Sequence, residues 1–355
     1  MSEPLMNTSD NRNGQDEAIY QGTARGSTVS GANTIPGGSP VSRRSTGIPA
    51  RNAFFCFMAA FIWGTAFVAQ RVGGEHMGPF TMNGFRGLLA FFVLLPLVLL
   101  RKKARKEREQ AGDLNLEPYS FKRTVKGGIF VGLILLVAST LQQIGIMQVD
   151  VGKAGFMTAL YIIIVPVLSF FITRRGSVRV FTAAGLAAAG LYFLSFSSAE
   201  GFAPADLMLL GCAFAYSMHI LCIDHFSKGT DAVELSCIQF LVSGLAGTLI
   251  SLIVEKPVLS SFGMAGWLSL LYAGVFSSGA AYTFQILGQK GADPAIASLI
   301  LSLESVISAV SGFVLLHQVL TGREIFGCAL MFTAIVLVQL PAGRKKLQVP
   351  EEKHS

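Results

Sequence analysis

Charge is what this sequence has least of. Asp, Glu, Lys and Arg make up 14% of its 355 residues, apolar residues make up 52%, and the mean hydropathy is +0.55. Soluble domains carry about 25% charged residues, so the composition excludes an ordinary water-facing globule. Cysteine excludes more by placement than by number. Cys56, Cys212, Cys222, Cys237 and Cys328 are odd in total, form no CxxC pair, and lie inside or beside apolar runs. Buried packing accounts for them better than a disulfide framework or metal ligation. The five histidines (His76, His219, His225, His317, His354) are scattered. With no GxSxG elbow and no paired aspartates, the constellation an intramembrane enzyme requires is missing. A Walker phosphate loop is also missing, which excludes an ATP-driven pump. Rings of like charge and repeated filter sequences are absent, which argues against a channel. The net charge of +7 gathers at the ends of apolar runs, a membrane pattern rather than a nucleic-acid footprint.

What is present is ten apolar stretches of membrane-crossing length. They run approximately 53–70, 80–100, 127–147, 154–173, 178–196, 207–223, 233–254, 267–287, 295–316 and 325–340. A hydrocarbon core about 30 Å thick takes ~20 residues of helix to cross, so the chain reads as an all-α integral membrane protein with ten transmembrane helices. Residues 1–48 are rich in Ser, Thr, Gly and Asn without apolar periodicity, and read as a disordered cytoplasmic tail. A second short tail covers 342–355. A cleaved signal peptide does not fit, because no apolar core lies close to Met1.

Lys and Arg counts set the orientation. With the N-terminus inside, the inner flanks hold twenty cations, nine of them between Arg101 and Lys126, and the outer loops hold four: Arg71, Lys153, Lys256 and Arg323. By the positive-inside rule both termini face the cytoplasm. The basic cluster itself reads as a topology determinant with some attraction for anionic lipid.

The spans also repeat. A shift of 153 positions lays Phe61 on Phe214, Trp63 on Tyr216, Arg86 on Gln239 and Leu88 on Leu241, while the fourth and ninth spans fit an offset of 139–143. Two units follow, over 49–199 and 200–341. Because five is odd, the second must be mounted upside down, an architecture recurrent in secondary transporters. Exchanging the conformations of two such halves would expose a midplane site alternately to either side.

Particular motifs carry a family resemblance: IWGTAFVAQ (Ile62–Gln70), the Gly78-Pro79-Phe80…Arg86 pattern, GKAGFMTALYIIIVP (Gly152–Pro166), QFLVSG (Gln239–Gly244), SSGAAYTFQILGQK (Ser277–Lys290) and ASLILSLES (Ala297–Ser305). On these the chain resembles the drug/metabolite transporter superfamily, the ten-helix group of two inverted five-helix EamA repeats. The resemblance spans about Arg51 to Leu340 and implies a carrier of small metabolites in the cytoplasmic membrane, often an exporter. It leaves the substrate open. The family's usual Gly-Glu pair before the last helix is replaced here by His317 and Gln318.

The expected function is a secondary transporter moving an amino-acid-like or related polar, amphipathic metabolite by alternating access. It is not an enzyme and needs no cofactor or metal. Protons, membrane lipid and a second copy of the chain are its candidate partners. A non-transporting receptor or scaffold is the alternative. Ionisable groups deep in a bilayer cost ~2.5–3.5 kcal/mol on insertion scales, so the few present mark the site candidates. Glu304 reads as a substrate or proton group, or else as a structural acid paired to Arg86. Arg86 offers a planar fork for a carboxylate or phosphate, or else anchors its helix by snorkelling. His219 is a titratable candidate against a plain packing role. Trp63 beside Gly64 supplies a cavity wall or core packing. Tyr161, Gln142, Gln143, Tyr282, Gln285 and Ser302 are uncharged hydrogen-bonders able to face one another in a polar cavity or to bond between helices. Pro166 predicts a kink and a candidate gate hinge. Gly128 and Gly132 form a small-xxx-small packing pair.

Overall fold

The computed structural model describes residues 48–113, 119–149, 151–174, 176–195, 204–316 and 321–339. Both tails, and the His317–Gln318 departure, lie outside the described residues. Ten helical spans follow in order: α1 Ala50–Gly74, α2 Pro79–Gln110, α3 Phe121–Ile146, α4 Val151–Thr173, α5 Val178–Ser195, α6 Pro204–Ser227, α7 Ala232–Val254, α8 Gly263–Gln289, α9 Pro294–Leu315 and α10 Gly322–Gln339. Eight are long and apolar enough to cross a membrane. Within α5 and α10 the apolar stretches are shorter, Val178–Gly190 and Ile325–Leu337. Large apolar side chains such as Phe54, Phe61, Phe92 and Phe214 face outward, as lipid contact requires.

Helix ends follow local chemistry. Asp231 caps α7 by accepting from the amides of Val233 and Glu234 at 2.9 and 3.1 Å. Asp293 caps α9 through Ala295 N at 2.9 Å, ahead of Pro294 at the first turn. α2 has no side-chain cap of its own, since Gly78 precedes Pro79. Glu255, just past α7, does that work from across the bundle: its carboxylate accepts from Phe80 N at 2.8 Å, Thr81 N at 2.7 Å and Thr81 Oγ1 at 2.5 Å. At its far end α2 runs ten residues beyond the apolar stretch, through RKKARKEREQ. Strong helix formers and an Arg105–Glu109 pair one turn apart carry it outward.

The packing repeats with the numbering n to n+5. α2 packs on α7, and α5 on α10, so each of these pairs maps onto itself. α3 packs on α6 as α8 does on α1, and α1 on α9 as α6 does on α4. Glycine permits the α2–α7 approach: a Cβ on Gly247 would lie 3.0 Å from Gly84 Cα, and one on Gly87 would lie 2.8 Å from Gly244 Cα. Gly128 and Gly132 do the same for α3 against Ile238, Gln239 and Val242 of α7.

α4 and α9 are both interrupted at mid-span. α4 breaks at Leu160, between Val151–Ala159 and Tyr161–Thr173, and α9 breaks at Ser302, between Pro294–Leu301 and Leu303–Leu316. The two breaks are 142 positions apart, inside the expected offset. Pro166 lies within the second segment of α4, so the interruption falls six residues before the proline rather than at it. The chain there tightens to a three-residue bond, Ile163 N to Leu160 O at 3.0 Å. In α9 the cause is a serine ladder. Ser298, Ser302, Ser305 and Ser308 each turn the hydroxyl back onto the carbonyl three residues earlier at 2.7–2.9 Å, which competes with the helical bond.

Candidate functional site

A small polar cavity of about 20 Å³, room for about one water, lies where α1, α2, α3, α4, α6, α8 and α9 converge. The α1 wall is Trp63, Phe67 and Gln70, spaced i, i+4, i+7 on one face. Gly64 lets that wall approach α9: a Cβ there would meet the Glu304 carbonyl oxygen at 2.8 Å. Tyr216 on α6 lies opposite, at the position that the 153-residue shift equates with Trp63. Tyr282 stands between them, its ring 4.7 Å from that of Trp63 and edge-on.

Tyr216 donates to Gln142 Oε1 at 3.2 Å, and its hydroxyl lies 3.0 Å from that of Tyr282. Gln142 passes the chain on by donating to Thr158 Oγ1 at 3.3 Å. Four helices are thus joined by one polar strand along the wall. On the other side Trp63 Nε1 donates to Ser277 O at 3.1 Å. That carbonyl comes from the Ala273–Ala281 segment of α8, which is wound as a π-helix. Such widening turns a backbone oxygen out of its usual ladder.

The charged groups face into this space without meeting. Arg86, 4% exposed, donates to Gln70 Oε1 at 2.9 Å. Glu304, 3% exposed, sits two residues past the α9 break, and its carboxylate faces the Tyr161 hydroxyl without a well-formed hydrogen bond. Both line the cavity, yet no ion pair joins them within 4.0 Å. Gln285 Oε1 and Tyr161 Oη are likewise buried without a well-formed partner. Buried polar atoms left open are costly in protein interiors, which makes this cluster the candidate site.

Of the residues marked in sequence, Trp63, Arg86, Gln142, Tyr161, Tyr282, Gln285 and Glu304 converge on the cavity. Arg86 is buried in the bundle and does not snorkel. Three others stand behind the wall. His219 is buried with Nε2 3.3 Å from Gln239 Oε1 and its ring edge-on to Tyr282. Gln143 donates to Gln70 O at 2.9 Å, and Ser302 is spent on Leu299 O at 2.8 Å. Phe67, Gln70, Tyr216, Ile220, Ser277 and Leu301 also line the space. The stripe of Trp63, Phe67 and Gln70 was the available signal for two of them. Nothing in the local sequence marks the Ser277 carbonyl.

The EamA-like transporter family matches residues 51–196 and again residues 203–340. The chain belongs to that family. An uncharacterized transporter of Archaeoglobus fulgidus is 26% identical over 80% of this chain and 84% of its own. Uncharacterized transporter YoaV of Bacillus subtilis is 24% identical over 81% and 96%, and a chloroplastic WAT1-related protein of Arabidopsis thaliana is 23% identical over 80% and 68%. One crystal structure shares the fold with a TM-score of 0.65 at 18% identity, covering 82% of this chain and 96% of that one. The EamA protein is therefore a multi-pass membrane transporter acting on a small molecule.

Proposed function

We propose that this EamA protein is a secondary transporter in the cytoplasmic membrane that carries a small zwitterionic, amino-acid-like metabolite by alternating access. The observation that carries the reading is the buried pair Arg86 and Glu304, lining one cavity without an ion pair. A ligand with a carboxylate for the guanidinium fork and an amine for Glu304 would give each of these charges the opposite charge it lacks. Trp63, Tyr216 and Tyr282 would flank its amine with ring faces and edges. Charge-assisted hydrogen bonds of this kind are worth ~1.5–3 kcal/mol each.

The two five-helix units, over 49–199 and 200–341, are read as inverted repeats. The self-mapping pairs α2–α7 and α5–α10 and the matched breaks of α4 and α9 support that reading. The cation count supports a cytoplasmic position for the end bearing Arg101 and for both termini. Candidate gates then lie at either end. Asn52 Nδ2 donates to Gly288 O and Lys290 O at 3.0 Å inside, and Lys153 pairs with Asp206 at 3.0 Å outside. In this reading Glu304 couples transport to a proton by binding substrate and proton in turn, and the site needs no second copy of the chain.

Thermal unfolding of purified protein with a matched ligand set tests the substrate class. Zwitterionic amino acids should raise the Tm, while their amides and N-acetyl derivatives, each lacking one charge, should not. An equal response to all three forms, or to none, would sink the proposal.

A further inference from the structure

We propose that the groove beside the α2 extension is a binding site for the headgroup of an anionic phospholipid. It is an open groove of about 1480 Å³ bounded by the start of α1, the end of α2, the end of α8 and the α6–α7 turn, and eight Lys or Arg side chains line it against three carboxylates. Those carboxylates are already engaged. Asp231 pairs with Arg101 at 2.7 Å, Glu234 with Lys102 at 2.5 Å, and Glu109 with Arg105 at 2.8 Å. Arg51 on α1 and Lys106 on α2 have no acidic partner among the described residues.

Depth decides what kind of anion fits. On α2 the lipid-facing side chains Leu97, Leu99 and Leu100 are 44%, 59% and 65% exposed, and the cations begin at the next residue, Arg101. At 1.5 Å rise per residue, Arg101–Lys106 covers roughly the headgroup layer directly above the hydrocarbon. The groove floor is apolar at that level, with Phe55, Val98, Phe121 and Leu287. A freely soluble anion has no use for such a floor. A lipid does: its phosphate meets the rim, and its glycerol ester and first methylenes meet the floor. Juxtamembrane cations attract anionic lipid by an amount that grows with each Lys or Arg.

The inference is independent of the transported substrate and needs only the membrane-embedded chain. Full-length protein in phosphatidylcholine nanodiscs is titrated with phosphatidylglycerol, with bound lipid counted by native mass spectrometry and the Tm followed in parallel. Wild type should retain phosphatidylglycerol preferentially. Arg51→Gln/Lys106→Gln breaks no ion pair of the fold and should weaken retention about thirty-fold, at the energy usual for two interfacial cations. Lys103→Gln/Lys122→Gln removes as much charge from the same end but from side chains outside the groove, and should change retention less than three-fold. Equal weakening by both pairs means a diffuse basic surface and overturns the site. Displacement of the lipid by soluble glycerol phosphate at matched concentration overturns the lipid assignment. Should either double variant misfold, the single changes Lys106→Gln and Lys103→Gln carry the same comparison.

Discussion

Replacing Glu304 by Gln is the change that separates a ligand-binding acid from a structural one. The amide has nearly the same volume, so the packing at Gly64 and the α9 break is kept. The carboxylate faces the Tyr161 hydroxyl without a well-formed hydrogen bond, a contact that a glutamine amide can keep, so the variant should hold its Tm to within the ~0.5 kcal/mol typical of changes that break nothing. Ligand affinity should move much further. Losing one charge-assisted contact removes ~1.5–3 kcal/mol, which at RT of about 0.59 kcal/mol is roughly a 10- to 150-fold weakening of a zwitterion. The assay is counterflow in proteoliposomes with the amino acid that stabilises wild type best, alongside thermal unfolding of the same preparation. Wild-type uptake in Glu304→Gln would refute the assignment. So would a large Tm loss, which would show that the carboxylate holds the bundle together.

Further outcomes test the framework around it. Gly64→Ala puts a methyl 2.8 Å from the Glu304 carbonyl oxygen, and should destabilise the protein by ~1–3 kcal/mol, as overpacking does, with transport falling further; thermal unfolding and flux measure both. Trp63→Phe keeps the ring but removes the bond to Ser277 O; a loss of ~1 kcal/mol in stability is expected, read from the Tm with Trp63→Ala as the larger comparison. Asp231 is held below the ordinary carboxylate range: burial works against its charge, but Arg101 and the amides of Glu234 and Val233 outweigh it. Its stabilisation is therefore complete above about pH 5 and fades as the pH falls through the usual aspartate value near ~3.9 and below. Asp231→Asn keeps a good helix cap and loses the Arg101 pair, so its Tm should lie below wild type at neutral pH and converge with it in acid.

Much of the architecture could be read from hydropathy alone, because a bilayer imposes one requirement, a run of apolar residues long enough to satisfy every backbone group internally. Hydropathy did not give the length of the second helix. Its apolar run ends at Leu100, yet the helix continues to Gln110, since Lys, Arg, Glu and Gln are good helix formers in water or at an interface. Glu304 and Arg86 were legible as ionisable residues in apolar surroundings. Gln143, Ser302 and His219 stand among the same sequence candidates as Gln142 and Gln285, but Gln143 and His219 bond neighbouring helices and Ser302 bonds back onto its own helix, so none of the three lines the cavity.

The sequence by itself determined the number of spans, their doubling, and which residue types are too costly to leave in hydrocarbon without a reason. Those are one-dimensional quantities, set by the free energy of moving each segment from water into lipid. Tertiary structure alone decided that a π-wound segment of α8 turns a carbonyl toward Trp63 and that Arg86 and Glu304 share a cavity without touching. Those depend on rotation about each helix axis and on close approach at glycines such as Gly64, and segment hydropathy does not fix either.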